Sequence, residues 1–334
     1  MKKLLLGALC LVVGATAFAA EKVIGVSLPG PVGYFIAVRD GMDTQAKKEG
    51  LKLEYTDANW DPIKQLSQIE DLVAKKVDVI AVAAADSEAI KGAIAIANEA
   101  KIPVIAFTNA IGSDEDGKYD GVVTYVGQNE VKTGALTGKI AKNLLKKDDA
   151  KIVLIEGVPG TPPQRNRKKG LTEEIAGTKM EIVYNQTSRW EKERAMKIVE
   201  DLIQKNQKMD IIITQDDNSA MGAGMALQEA GLKDKIYVIG LGGSKEGLAA
   251  IKDGLIDGTT YMSAVEEGAK TIEAAGKLLK GEKLDPVTPM IQVEVNKENV
   301  NNFKGEWSNN LEGSAKYFVL PSFFVVCYIC IYEN

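Results

Sequence analysis

From residue 22 onward, short runs rich in β-branched residues alternate with amphipathic stretches of helical length, and this alternation constrains the fold more than any other feature of the chain. The pattern predicts strands over residues 23–28, 51–57, 77–84, 104–108 and 122–127, and a second series over 151–156, 180–184, 210–215, 236–241, 258–263 and 290–295. Helical periodicity separates them, most clearly over 36–50, 64–75, 87–100, 191–204 and 266–279. Short strands joined by single helices require right-handed crossovers and parallel sheets. So many strands exceed what one small sheet holds, so the economical reading is an α/β protein of two doubly wound lobes. In such sheets ligands sit beyond the carboxyl ends of the strands, which directs attention to the loops that follow each strand.

The first 20 residues read differently. Lys2 and Lys3 precede an apolar run over 4–13 and a small-residue end at Ala17, Phe18, Ala19 and Ala20, the pattern of a secretory signal peptide cleaved after Ala19 or Ala20. The run is short for a membrane span, and Leu9 before Cys10 fits a lipoprotein cleavage site poorly. The expectation is a chain exported to the periplasm. The other two cysteines, Cys327 and Cys330, lie near the far end, so the body between has no disulfide. The stretch 306–334 turns from polar to apolar, and 317–332 is interrupted by Pro321. We expect it to be an appended tail without a role in the fold rather than an anchor.

Composition removes whole classes of chemistry. With no histidine, Ser-His-Asp and Cys-His catalysis and every His-containing zinc site are excluded. A net charge of -5 without basic clusters disfavours nucleic acid. There is no P-loop, nucleophile elbow or dinucleotide glycine fingerprint. Asp216 and Asp217 are sequence neighbours that should point apart rather than flank a bond. The chain is therefore expected not to be an enzyme, and to carry neither cofactor nor metal.

The loop after the first strand places Tyr34 and Phe35 at the start of a helix. Adjacent aromatics there suit stacking on the C–H face of a sugar ring, although one could instead staple the helix to the core. Arg39-Asp40-Gly41, the run 78–82 leading to Ala85-Asp86-Ser87, Ile102-Pro103-Val104-Ile105, Gly157-Val158-Pro159-Gly160-Thr161, Arg165-Asn166-Arg167, residues 215–222 and Val238-Ile239-Gly240 follow in order. Together these segments resemble the periplasmic ribose-binding and galactose-binding family across residues 23–295. The resemblance implies a type I periplasmic-binding-protein fold, two Rossmann-like lobes joined by a three-segment hinge, with crossings near 127–129, 260–263 and 284–289. The lobes would comprise 21–127 plus 264–284, and 128–260 plus 285–305.

The resemblance also implies ligand-binding roles, carried onto Tyr34 and Phe35 in one lobe and onto Trp190, Arg167 and Asp216 in the other. Trp60, in Asn59-Trp60-Asp61-Pro62, is either a further cleft wall or a loop cap. Thr108 and Asn109 stand where ribose-binding relatives carry Asp-Arg and are expected to contact the ligand as well, while Ala83, Gly242 and Met262 replace other hydrogen-bonding residues. An unpaired sugar hydroxyl in a closed cleft costs about 1–3 kcal/mol, so the ordinary ribose pose is not expected. The implied function is capture of a small pentose, polyol or modified sugar by a monomeric solute-binding protein. It would hand that ligand to an ABC permease in the inner membrane. The alternative is a ligand-sensing ectodomain or chemoreceptor-presenting protein for the same solutes.

Overall fold

A computed structural model describes residues 21–308. The predicted signal segment and everything after Ser308, including the Cys327/Cys330 pair, lie outside the described residues. Two six-stranded sheets form, each flanked by helices on both faces. The first contains β1 (Val23–Leu28), β2 (Lys52–Asp57), β3 (Val79–Val82), β4 (Val104–Phe107), β5 (Thr124–Gly127) and β11 (Val287–Pro289), in the order β11-β5-β4-β3-β1-β2. The second contains β6 (Lys151–Glu156), β7 (Glu181–Thr187), β8 (Ile211–Thr214), β9 (Tyr237–Ile239), β10 (Gly258–Tyr261) and β12 (Val293–Asn296), in the order β12-β10-β9-β8-β6-β7. All pairings are parallel except β10 with β12. The lobes thus repeat one strand order, as two doubly wound units should.

The central strands are buried on both faces, which explains why β3, β4 and β8 read as unbroken apolar runs rather than alternating ones. In the first lobe Val26 and Phe107 face α1 (Gly33–Glu49) and α9 (Ala264–Leu279). Ile80 and Val104 face the opposite side, against α2 (Pro62–Ala74) and α3 (Lys91–Glu99). Each fully buried side chain of this size contributes about 1.5–3 kcal/mol.

Paired glycines set the helix spacing. A Cβ on Gly41 of α1 would lie 2.0 Å from the Val265 carbonyl oxygen, and one on Gly268 of α9 would lie 1.9 Å from that of Val38. The second lobe repeats the device between α4 (Glu130–Leu145) and α5 (Pro162–Ile175). There Gly134 faces the Arg167 carbonyl at 2.0 Å and Gly170 faces that of Val131 at 1.8 Å. Close backbone approach brings the starts of α1 and α5 to the cleft edge in the same way.

Three connections cross between lobes. Gln128-Asn129 links β5 to α4, and Met262-Ser263 links β10 to α9, both within the expected ranges. The third falls at 290–292, later than the expected 284–289, because residues 287–289 pair with β5 in the first sheet rather than joining the second lobe. Three residues ending in proline carry no strand periodicity, so the pattern does not mark β11. A further difference concerns Glu306, Trp307 and Ser308, assigned above to the tail. Trp307 is buried and belongs to the first lobe's core, while its carbonyl accepts a hydrogen bond from Lys245 N in the second lobe at 2.9 Å.

Because the clashing atoms at Gly170 are backbone, Gly170→Ala should cost about 1–3 kcal/mol by overpacking. Urea denaturation of parent and variant checks this, and an unchanged midpoint would mean that the helices are free to separate.

Candidate functional site

The carboxyl ends of the strands of both sheets face one cleft with a cavity of about 420 Å³, within the size range of small-molecule sites. All seven residues expected to bind line it. Tyr34 and Phe35 come from the first turn of α1, and Thr108 and Asn109 from the loop after β4. Arg167 comes from α5, Trp190 from the loop after β7, and Asp216 from the loop after β8. Gln128, Met262 and Gln292 reach the cavity from the crossings.

Tyr34 and Phe35 divide the two roles anticipated for them. Phe35 is buried, with its ring edge-on to Phe107 at 6.5 Å, and so pins the helix start to the core. Tyr34 is half-buried and donates its hydroxyl to Glu267 Oε2 at 2.7 Å, an oxygen that also accepts from Thr108 Oγ1 at 2.8 Å. Burial and the adjacent Glu267 hold the Tyr34 phenol well above its usual range, so it remains a donor. Asn109 turns its amide inward to the Ala84 carbonyl at 2.7 Å.

Trp60 and Trp190 occupy corresponding loops. Each follows the strand at the far end of its sheet, β2 or β7. Each is preceded by another residue at positive φ, Asn59 (53°) before Trp60 (61°) and Arg189 (57°) before Trp190 (68°). Ala58 N binds Leu28 O at 3.0 Å as Ser188 N binds Glu156 O at 2.9 Å, and both loops close with an i to i+3 bond, Asp61 N to Ala58 O and Glu191 N to Ser188 O. Each ring lies over a glycine. A Cβ on Gly30 would sit 2.3 Å from the Trp60 indole nitrogen, and one on Gly157 would sit 1.6 Å from the Trp190 ring. Two consecutive non-glycine residues in this region cost of order 1–3 kcal/mol each, and the cost recurs in both lobes where an indole is turned toward the cleft. Trp60 thus lines the cleft and at the same time packs over Gly30 and against the first lobe's core, so both readings of it stand.

Arg167 is engaged already. Its Nε and Nη2 donate to both oxygens of Glu130, at 2.7 and 2.9 Å, and Nη1 donates to the Gln215 carbonyl at 2.6 Å. Three of its five donors are thereby used. Its neighbours make contacts between the lobes instead. Arg165 reaches Ser87 Oγ and the Gly112 carbonyl, both at 3.2 Å, and Lys169 reaches Glu115 at 2.8 Å. Asp216 also has two tasks: Oδ2 caps α7 (Asp217–Glu229) through Asn218 N and Ser219 N, while Oδ1 is buried with no partner among the described residues. Burial pushes its pKa up to about 6, and burial likewise pushes Glu267 up to about 7.

Three contributors escaped the sequence reading. Glu130 follows a hinge crossing and Glu267 sits on the inner face of α9, positions whose chemistry depends on tertiary neighbours. Trp307 lines the cavity from the segment read as tail. The equivalence of Trp60 with Trp190 did have a signal, the matched steps Asn59-Trp60-Asp61 and Arg189-Trp190-Glu191 at the same place in each half. Among the described residues, no His/Cys/Asp/Glu group could hold a metal ion, and no helix is long and apolar enough to cross a membrane.

The Arg167 and Glu130 side chains are 11% and 3% exposed, so removing one partner strands a buried charge. Arg167→Ala should cost about 3–5 kcal/mol of stability, seen as a lowered denaturation midpoint in addition to any effect on binding. The raised carboxyls set a pH dependence. Their protonated forms stabilise the fold fully below the unfolded range near pH 4, and that stability is lost as pH rises through about 6 for Asp216 and about 7 for Glu267. The melting temperature should therefore fall between pH 5 and 8. Glu267→Gln should flatten the upper part of that fall, which calorimetry across the range would test.

The profile of the periplasmic binding protein domain matches residues 24–283. The chain is 31% identical over 288 residues to the ribose import binding protein of Salmonella typhimurium, covering 85% of this chain and 93% of that protein. It is 32% identical over 313 residues to a putative rhizopine-binding protein of Rhizobium meliloti, covering 92% of this chain and all of that one. In structure it is similar to an ABC transporter solute-binding protein of Bacillus halodurans with bound myo-inositol. The TM-score there is 0.80 at 26% identity, with 86% of this chain and 98% of that one covered. Two α/β lobes about a shared cleft and a match across most of the chain lead to one conclusion: the chain belongs to the periplasmic binding protein family.

Proposed function

We propose that this protein captures a small sugar or polyol in the interlobe cleft and presents it, closed, to an ABC permease at the inner membrane. One observation carries the reading: aromatic and polar residues from both lobes line a single cavity of small-molecule size. Contacts that a ligand makes with both lobes at once favour the closed arrangement, which is how binding energy drives closure. Trp60 and Tyr34 supply apolar surface from one side and Trp190 from the other, suiting the C–H faces of a ring. Asp216 supplies an acceptor for a hydroxyl.

The relatives support the class of ligand. One is named for ribose import and one neighbour holds myo-inositol. Ribose itself fits this wall less well. Gly242 and Met262 offer no side-chain hydrogen bonds to the cavity they line, and Asn109 spends its amide on the Ala84 carbonyl. A ligand with a larger apolar face, or with hydroxyls disposed differently, suits these positions better. The proposal includes no chemical step on the ligand, and export to the periplasm as a monomer completes it.

A thermal-shift screen of D-ribose, D-allose, xylitol, myo-inositol, amino sugars and nucleosides tests the reading. A true ligand raises the melting temperature in proportion to the logarithm of its concentration above Kd, and mass spectrometry should recover it unchanged. Turnover, or no shift with any sugar or polyol, would overturn the proposal. Arg165→Ala removes two contacts made only across the closed cleft, so it should weaken binding by about 2- to 10-fold. Most of that change should appear in the dissociation rate.

A further inference from the structure

We propose that Trp307 is a ligand-contacting residue whose indole N–H is reserved for an acceptor oxygen of a cyclic polyol or sugar, an assignment that rests on the sugar-binding reading above.

The segment that carries it is held firmly. Glu306 accepts from Ser263 Oγ at 2.8 and 2.9 Å and from Val265 N at 3.1 Å, which ties it to the second crossing and the start of α9. Lys245 N fixes the Trp307 carbonyl at 2.9 Å, and Ser308 Oγ bonds to Glu246. Gly33 leaves room for the Ser308 carbonyl, which a Cβ there would meet at 1.9 Å. One short segment is thus fastened to the hinge and to both lobes.

The ring this places in the cleft is 7% exposed and stands edge-on to Tyr34, at 5.8 Å and 81°. It fills the space beside Gly242, where a Cβ would come within 2.9 Å of Cζ2. The indole therefore gives this part of the cleft an apolar face and a donor.

Trp307 Nε1 is buried and has no hydrogen-bond partner among the described residues. Two cleft residues carry the complementary vacancies: Asp216 Oδ1 and Gln128 Oε1 are buried acceptors, likewise unpartnered among the described residues. One donor and two acceptors around a common cavity call for a ligand with an oxygen that accepts and at least two hydroxyls that donate. Packing alone would require only the ring, and phenylalanine would serve.

That difference supplies the test. Parent, Trp307→Phe and Trp307→Ala are titrated calorimetrically with myo-inositol, D-ribose, D-allose and xylitol, with the ligand-free melting temperature as a check on folding. Trp307→Phe should bind the best of these ligands about 3- to 10-fold more weakly, with its ligand-free melting temperature lowered only modestly, because loss of the buried unpaired donor offsets part of the packing lost with the smaller ring. Trp307→Ala should lose more. Unchanged affinity in Trp307→Phe while the parent binds would overturn this inference and leave the sugar-binding reading intact. A parent that binds none of the four would overturn both.

Discussion

The buried pair between Arg167 and Glu130 organises the cleft. Glu130 is the first residue of α4, immediately after the chain has crossed from one lobe to the other, and Arg167 projects from α5, which packs on α4 through Gly134 and Gly170. The guanidinium also holds the Gln215 carbonyl at the end of β8, next to Asp216. A bidentate contact fixes orientation as well as distance. The first crossing, the helix that carries the arginine and the loop that carries the acceptor therefore keep one geometry. Two charges taken out of water add little net stability, but they penalise any arrangement in which they part.

The other lobe reaches an equivalent result by a different device. Glu267, at the start of α9, lies under Tyr34 and Thr108 and accepts from both on a single oxygen. With its pKa pushed up to about 7 by burial, this carboxyl carries less charge near neutral pH than an ordinary glutamate, and the Tyr34 and Thr108 hydroxyls stand where the other lobe uses an arginine. Both acidic residues occupy the first turn and a half of a helix that directly follows a hinge crossing, where the helix dipole favours negative charge. The shared position reflects the doubled architecture, and the different partners reflect what each lobe must hold in place: a cation on one side, an aromatic hydroxyl on the other.

The fold was legible because its signals are local. Strand length, helical periodicity and their strict alternation give two doubly wound units, and the resemblance to sugar-binding relatives locates two of the three crossings. The third was misplaced because residues 287–289 become a strand only by pairing with β5, with no alternation of their own to announce it. All seven expected binding residues line the cleft, since the loops after parallel strands and the starts of the helices that follow them face it. Their roles were less legible. Arg167 cannot be recognised as already paired without knowing that Glu130, 37 residues earlier, lies beside it. Trp307 sits at the edge of a polar stretch followed by an apolar one, and nothing in that composition signals a tryptophan folded back between Tyr34 and Gly242.

The polar atoms left over in the cleft bear on how closure is controlled. Asp216 Oδ1 and Gln128 Oε1 are buried and unpartnered among the described residues, and an opening of the lobes that let water reach them would satisfy both. The cross-lobe contacts of Arg165 and of Lys169 with Glu115 favour closure, yet they lie toward the rim, where solvent weakens them. An empty closed cleft thus gains modest rim contacts and leaves buried groups unpaired, whereas under the proposed function a hydroxyl-bearing ligand would pair those groups and cover the tryptophan faces of both lobes. The energetic difference between closing empty and closing occupied therefore resides in the orphaned acceptors more than in the rim. A binding protein that must report occupancy to a partner requires that difference, because rim contacts strong enough to close the lobes unaided would present an empty cleft as a full one.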